Sequence, residues 1–90
     1  MVKPYKETRI NSYKFLRTFS VDADGEELVW HRDHQDRTVR VLQGVGWKLQ
    51  MDDELPVLLS PECTYYIPRK EYHRVIKGAT DLVVEITESY

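Results

Sequence analysis

The sequence predicts an all-β protein of about eight short strands, folded as a sandwich or a barrel. Three observations lead to this class. Apolar and polar residues alternate along most of the 90-residue chain, which is the period of a half-buried strand. Turn-forming residues interrupt the alternation roughly every 8–12 residues. No stretch has apolar residues at helical spacing for more than about two turns.

The first predicted strand is SYKFLRTFSV, residues 12–21, in which apolar side chains take the odd positions and Arg17 interrupts them. The segment ELVWHRD, residues 27–33, is predicted to be a second strand that ends in polar residues. Trp30 in this segment is expected to pack in the core. Later strands alternate more regularly, and the side chains predicted to face inward are Val39, Val41, Trp47, Leu49, Met51, Leu82, Val84 and Ile86.

Turn signals separate these runs: Asp24-Gly25, Gly44 to Gly46, Pro56, Pro61 and Gly78. Linkers, repeats and low-complexity tracts are lacking, so residues 1–90 are predicted to form a single domain, with a flexible N-terminus over residues 1–7. A domain of this size buries only about 60% of the surface of its unfolded chain. Its core is therefore expected to be small, and an enzyme with separate cofactor and substrate domains is not expected.

Composition restricts the partners and the compartment. A net charge of −2 gives no attraction to nucleic acid or to a membrane surface. No apolar run approaches the roughly 18 residues of a membrane span, and the N-terminus has no signal-peptide pattern. Cys63 is the single cysteine, which agrees with a reducing, cytoplasmic location and excludes a cysteine-based zinc site.

Two histidines and an aspartate are candidates for a metal site. His31 and Asp33 are two residues apart, so on a strand their side chains share one face. His73 begins a later predicted strand and faces this pair if the two strands are neighbours. Two imidazoles and one carboxylate form a facial triad that suits non-haem Fe(II), and Mn, Ni or Zn are also chemically admissible. The alternative is that His31 and Asp33 belong to a solvated polar turn.

The two segments that carry these residues resemble the two motifs of the cupin superfamily of small β-barrels. The first motif, G-x5-H-x-H-x3-4-E-x6-G, is matched in spacing by Gly25, His31, Asp33, Arg37 and Gly44. The second, G-x5-P-x-G-x2-H-x3-N, is matched at its offsets by Glu62, Pro68, His73 and Lys77. The resemblance covers about residues 26–88 and is more specific in spacing than in identity. It implies a double-stranded β-helix, also called a jelly roll, and a metal held by His31, Asp33 and His73.

The departures from the motif concern the ligands themselves. Asp33 stands where the family has its second histidine, and a carboxylate can still bind a metal. Arg37 stands where the family has a glutamate, and a guanidinium cannot bind one. By parity with Val39 and Val41, Arg37 should point into the barrel, where a buried charge needs a partner. Either an Arg37–Asp33 ion pair replaces the metal, or Arg37 binds the anionic group of a small molecule beside it.

Three functions remain open from the sequence. The first is a metal-dependent oxygenase, lyase or isomerase that acts on a small anionic molecule. The second is a non-catalytic module that binds such a molecule without a metal. The third is a structural dimer with a degenerate site, in which SYKFLRTFS is an edge strand that pairs with a second copy. A homodimer is expected in any of these cases.

Overall fold

A computed structural model of the chain describes residues 5–22 and 28–89. The described residues form eight β-strands and confirm the predicted all-β class. The predicted turn at Asp24-Gly25 lies outside these residues. The eight strands are β1 Tyr5–Arg9, β2 Lys14–Phe19, β3 Asp36–Gln43, β4 Lys48–Met51, β5 Val57–Leu58, β6 Thr64–Ile67, β7 His73–Ile76 and β8 Leu82–Ser89.

The strands form two antiparallel sheets. The larger has the order β1-β2-β8-β3-β6, and the smaller has the order β5-β4-β7. Strand β8 lies at the centre of the larger sheet because it pairs with both β2 and β3. The chain crosses between the sheets four times, through connections of four or five residues, and both inner faces are apolar, which is the jelly-roll arrangement that the sequence predicted. No helix in the described part of the chain is long and apolar enough to cross a membrane.

Alternation along the strands builds the core. On β2 the buried residues are Phe15, Arg17 and Phe19, which confirms the odd-position pattern, including the arginine. The Arg17 guanidinium lies over the Tyr5 ring, with its Cζ 3.8 Å from the ring centroid. Nη2 of Arg17 is 3.7 Å from Oε2 of Glu7. The other buried apolar side chains come from both sheets: Val39, Val41, Trp47, Leu49, Leu59, Ile67, Leu82, Val84 and Ile86.

Three local expectations are wrong. Residues 5–7, assigned to a flexible N-terminus, belong to strand β1. Strand β2 is not an edge strand, because β1 and β8 flank it on either side. The described part of ELVWHRD, residues 28–33, is irregular and makes only an isolated bridge at His31. Its apolar side chains do not share one buried face, because Leu28 packs against the core, Val29 is 57% exposed and Trp30 stacks on Tyr72.

One corner of the barrel is held by close backbone packing. Trp47 is fully buried, and its Nε1 donates a hydrogen bond of 2.6 Å to the carbonyl of Thr80. Gly78 passes directly over this corner, with the Val45 carbonyl and the Trp47 ring against its Cα. Gly46 in the same corner has a φ of 82°, the left-handed conformation that favours glycine.

The segment that carries the second motif has two residues in the left-handed backbone conformation that are not glycines. Glu62 has a φ of 68° and Lys70 a φ of 62°. Counting along the second motif places its two glycines at these positions. The backbone geometry of the motif is therefore kept although the residue identities have changed.

Candidate metal centre

The structure brings His31, Asp33 and His73 together. His73 begins β7, and His31 pairs with it across a two-way backbone bridge in which each N–H donates to the other carbonyl at 2.9 Å. Asp33 follows two residues after His31 and is held by its carbonyl, which accepts a 2.6 Å hydrogen bond from the Lys70 N–H. One donor atom from each of the three side chains lies within 4.8 Å of the other two. The predicted side-by-side placement of the two segments is thus present, through a single bridge.

The Asp33 carboxylate faces the Nε2 atoms of both rings. Oδ2 of Asp33 is 3.1 Å from Nε2 of His73, and Oδ1 is 3.8 Å from Nε2 of His31. The ring centroids of the two histidines are 4.4 Å apart. Side-chain exposure is 3% for His73, 10% for Asp33 and 18% for His31. The group is therefore desolvated on the barrel side and reachable from solvent on the other.

Both imidazoles are oriented by backbone carbonyls. Nδ1 of His31 lies 2.9 Å from the Val29 carbonyl, and Nδ1 of His73 lies 2.8 Å from the Glu71 carbonyl. A carbonyl oxygen can only accept, so each Nδ1 carries the proton and donates it. In a neutral ring the lone pair is then on Nε2, which faces Asp33. Histidines that bind metals are held in this way, with the second ring nitrogen bonded to a carbonyl or carboxylate.

Asp33 is ionised at neutral pH. Burial raises the pKa of this carboxyl, but the contact with His73 and the positive charge of Arg37 act in the opposite direction. When they are protonated, the two imidazoles add further electrostatic stabilisation of the charged form. The net result is a pKa below the usual aspartate value, so the group is a carboxylate.

These donors fit a divalent transition metal. A carboxylate oxygen facing two Nε2 lone pairs is repulsive unless a proton or a cation lies between them. Oδ2 of Asp33 is buried and makes no well-aligned hydrogen bond among the described residues, so a proton on His73 does not satisfy it fully. Ligands at about 2.1 Å around an octahedral ion are about 3.0 Å apart. The separation of 3.1 Å between Oδ2 and Nε2 of His73 is close to this value, and the 3.8 Å between Oδ1 and Nε2 of His31 is longer, so His31 would move closer on binding an ion.

Arg37 points into the barrel, as its parity predicted, but its main partner is Glu88. Nε and Nη2 of Arg37 donate to Oε2 of Glu88 at 3.2 and 3.0 Å. The remaining nitrogen, Nη1, lies 3.4 Å from Oδ2 of Asp33. The predicted contact between Arg37 and Asp33 exists but is the longer of the two. Glu88 neutralises the guanidinium and leaves the carboxylate of Asp33 able to face the histidines.

Sequence reasoning missed Glu88. The signal was present, because the alternation of Leu82, Val84 and Ile86 continues to Glu88 on the same face of β8. Register completes the inference, since Glu88 is the direct cross-strand partner of Arg37. An inward-facing acid opposite an inward-facing arginine is the pairing that burial requires.

Replacing Glu88 by glutamine should lower the free energy of unfolding by about 2 kcal/mol, because it removes the charge that balances a largely buried guanidinium. Arg37 should then move toward Asp33 and compete with any cation there. Chemical denaturation measures the stability. Glu85→Gln on the outward face of the same strand is the matched control, where the partner Lys14 is 3.6 Å away and partly exposed. A loss below about 1 kcal/mol is expected for this control, and equal losses would contradict the assignment.

An aromatic pair fixes the segment that carries His31. Trp30 stacks on Tyr72 with ring centroids 5.5 Å apart and an angle of 13° between the planes. The Arg74 and Arg32 guanidinium groups lie 5.0 and 4.8 Å from the Trp30 and Tyr72 rings. Trp30 is therefore half-buried in this stack and is not part of the core, contrary to expectation. Trp30 and Tyr72 directly precede His31 and His73, so their stacking restrains the segment around His31 in addition to the backbone bridge.

A small cavity continues from the site into the barrel. Its volume is about 40 Å³. Asp33, Arg37 and His73 line one part of it, and the rest of the wall is mostly aliphatic. Asp33 and His73, which are two of the three candidate metal ligands, therefore also face this space.

Comparisons with known proteins agree on the fold. No family model matches the sequence, and no curated protein is significantly similar to it. A solved cupin domain of Bordetella pertussis matches all of this chain and 99% of its own, with a TM-score of 0.63 and 21% identity. Other solved cupin proteins match at similar levels.

A lyase and an Fe(II) protein are also similar in structure. A DMSP lyase of Ruegeria pomeroyi covers 86% of this chain with a TM-score of 0.70 and 13% identity. The Fe(II) form of HppE covers 84% with a TM-score of 0.64 and 12% identity. This chain spans only 37% of the lyase and 41% of HppE. Together with the eight strands in two sheets, these likenesses show that the chain has a cupin fold.

Proposed function

We propose that this protein binds one divalent transition metal through His31, Asp33 and His73 and holds a small anionic molecule beside it with Arg37. The observation that carries the proposal is the carboxylate of Asp33, placed against two imidazoles whose Nδ1 protons are already committed to backbone carbonyls. A cation satisfies all three donors at once. Two histidines and one carboxylate favour Fe(II), and Mn, Ni or Zn are admissible.

The charges of the site support an anionic ligand. With neutral imidazoles, the two carboxylates of Asp33 and Glu88 and the guanidinium of Arg37 leave a net charge of −1. A divalent ion reverses this to positive, which attracts an anion. Glu88 holds Nε and Nη2 of Arg37, so Nη1 is the nitrogen directed toward Asp33 and available to a ligand there. Arg37 orients the anionic group, and Glu88 positions Arg37.

An enzymatic role is the form of this proposal that the comparisons favour. One structural neighbour is a lyase and another is an Fe(II) protein, so this fold can carry both an enzymatic site and an iron site. A bound metal would supply Lewis-acid polarisation of the ligand or, as Fe(II), activation of O2. This chain would contribute a desolvated, three-donor site with one fixed cationic hydrogen-bond donor beside it.

Metal loading tests the proposal directly. Protein equilibrated with Fe(II), Mn, Ni or Zn under anaerobic conditions and then desalted should retain about one ion per chain by elemental analysis. Saturation at a hundred times the Kd should raise the free energy of unfolding by about 2.7 kcal/mol.

His31→Ala should lose this ion, whereas His34→Ala should keep it, because His34 is exposed three residues further on. Equal metal content in the two variants would overturn the site. A wild-type protein that retains no metal and is not stabilised by one would favour the metal-free reading instead. In that reading the 3.4 Å contact between Arg37 and Asp33 closes the barrel as an ion pair.

A further inference from the structure

The shape of the cavity beside the candidate metal centre restricts which anions can bind. Asp33 and His73 line both the metal site and the cavity, so the two spaces are continuous. Beyond them the wall is formed by the side chains of Val39, Leu49, Ile67, Val84 and Ile86 among others. A ligand that binds at the ion therefore extends into an aliphatic environment.

Polar groups deeper in the wall do not offer a second anion site. Arg17 is the remaining polar residue that lines the cavity. Its guanidinium is stacked on Tyr5 at 3.8 Å and lies 3.7 Å from the carboxylate of Glu7. The charge of Arg17 is thus balanced on the side of β1. A ligand with one anionic end and an apolar body fits this arrangement, whereas a dianion does not.

From this we infer that the ligand is a short-chain aliphatic monocarboxylate, bound with its carboxylate at the metal and Nη1 of Arg37 and its hydrocarbon chain in the cavity. The inference rests on the proposed function and adds the class of the ligand to it. Exposure supports the direction of binding. The polar end is 10–18% exposed at Asp33 and His31, while Val84 is 2% exposed at the apolar wall.

Cavity volume sets the chain length. A water molecule needs roughly 10–15 Å³ of such space. The cavity of about 40 Å³ therefore holds about three atoms of that size. Three carbons beyond the carboxyl carbon correspond to a carboxylate of the size of butyrate. Longer chains exceed the space and must displace close-packed side chains.

The test uses Co²⁺-loaded protein and straight-chain carboxylates. The visible spectrum of the bound Co²⁺ is recorded first and then titrated with acetate, propionate, butyrate and hexanoate. Affinity should rise about fourfold for each added methylene up to butyrate, because each transfers into the apolar cavity, and hexanoate should bind no better than butyrate. Butyramide, which has the same shape and no charge, should bind at least tenfold more weakly than butyrate.

A pair of variants tests the location. Val84→Ile adds a methyl group to the cavity wall and should reduce butyrate affinity fourfold or more while acetate affinity is retained. Val83→Ile makes the same change on the opposite face of β8, where the side chain does not line the cavity, and should bind like the wild type.

The outcomes separate the two proposals. Absence of Co²⁺ binding before any carboxylate is added would overturn the proposed function. Normal Co²⁺ binding with equal affinities from acetate to hexanoate, or a preference for hexanoate, would overturn the ligand class and leave the metal site intact. The chain-length series on the wild type decides this even if Val84→Ile does not fold.

Discussion

Replacing Asp33 by asparagine is expected to lower metal affinity at least a hundredfold. The change keeps the size of the side chain and removes the charge that faces both Nε2 atoms, at 3.1 and 3.8 Å. A neutral amide oxygen is a much weaker ligand for a divalent transition metal than a carboxylate. Competition with a chelator of known affinity, followed by elemental analysis, measures the effect.

Asp36→Asn is the control for this experiment. Oδ1 of Asp36 accepts a 2.8 Å hydrogen bond from the Arg69 N–H, and an asparagine oxygen can accept it equally. The metal affinity of this variant should equal that of the wild type. Unfolding in the presence of chelator separates the alternatives. If Asp33→Asn costs stability without changing metal content, Asp33 serves as the partner of Arg37 and does not bind a metal.

Gly78→Ala is expected to produce the largest loss of stability of any single methyl addition at the glycines with described contacts. A Cβ on Gly78 would overlap the Val45 carbonyl and the Trp47 ring, and it would lie 2.5 Å from the backbone nitrogen of Trp47. These atoms belong to backbone and to a fully buried indole, so none can move freely. We expect the free energy of unfolding to fall by about 3 kcal/mol or more. A whole domain is stabilised by only roughly 0.05–0.15 kcal/mol per residue, so this loss is a large part of its total stability.

Thermal and urea denaturation of the metal-free protein measure this loss. Gly46→Ala is the control in the same corner. Its Cβ would meet nothing closer than 3.6 Å, so only the φ of 82° opposes the change. The expected cost there is about 1 kcal/mol. A Gly78→Ala variant as stable as the Gly46→Ala variant would show that the corner can open.

Much of this fold can be read from alternation, because a two-residue period records burial on one face. The inward positions of β2, β3, β4 and β8 are recovered in this way, and so is the inward direction of Arg37. Segment 28–35 is different, because its position depends on one backbone bridge and the Trp30–Tyr72 stack. Both are long-range contacts without a local pattern, so the sequence alone suggested a strand.

The candidate site was predictable in its members and less so in its electrostatics. Spacing related His31, Asp33 and His73, and the barrel topology places them together. The partner of Arg37 was not identified, because Asp33 and Asp36 are nearer in sequence than Glu88. Cross-strand register decides this pairing, and register becomes visible only when β3 and β8 are known to be neighbours.

The bridge between His31 and His73 has a consequence for how an ion would enter and leave. Each ring is tied to the carbonyl two residues before it, and the two backbones are tied to each other, which makes a nearly two-fold symmetric clasp. Both imidazoles are thus preorganised, and little rotamer freedom is lost when a cation arrives. Because these two backbone bonds hold the His31 arm against β7, their opening would detach the His31 nitrogen, whereas His73 would stay paired with Met51 on β4. Release of the ion would then be governed by local unfolding of the clasp.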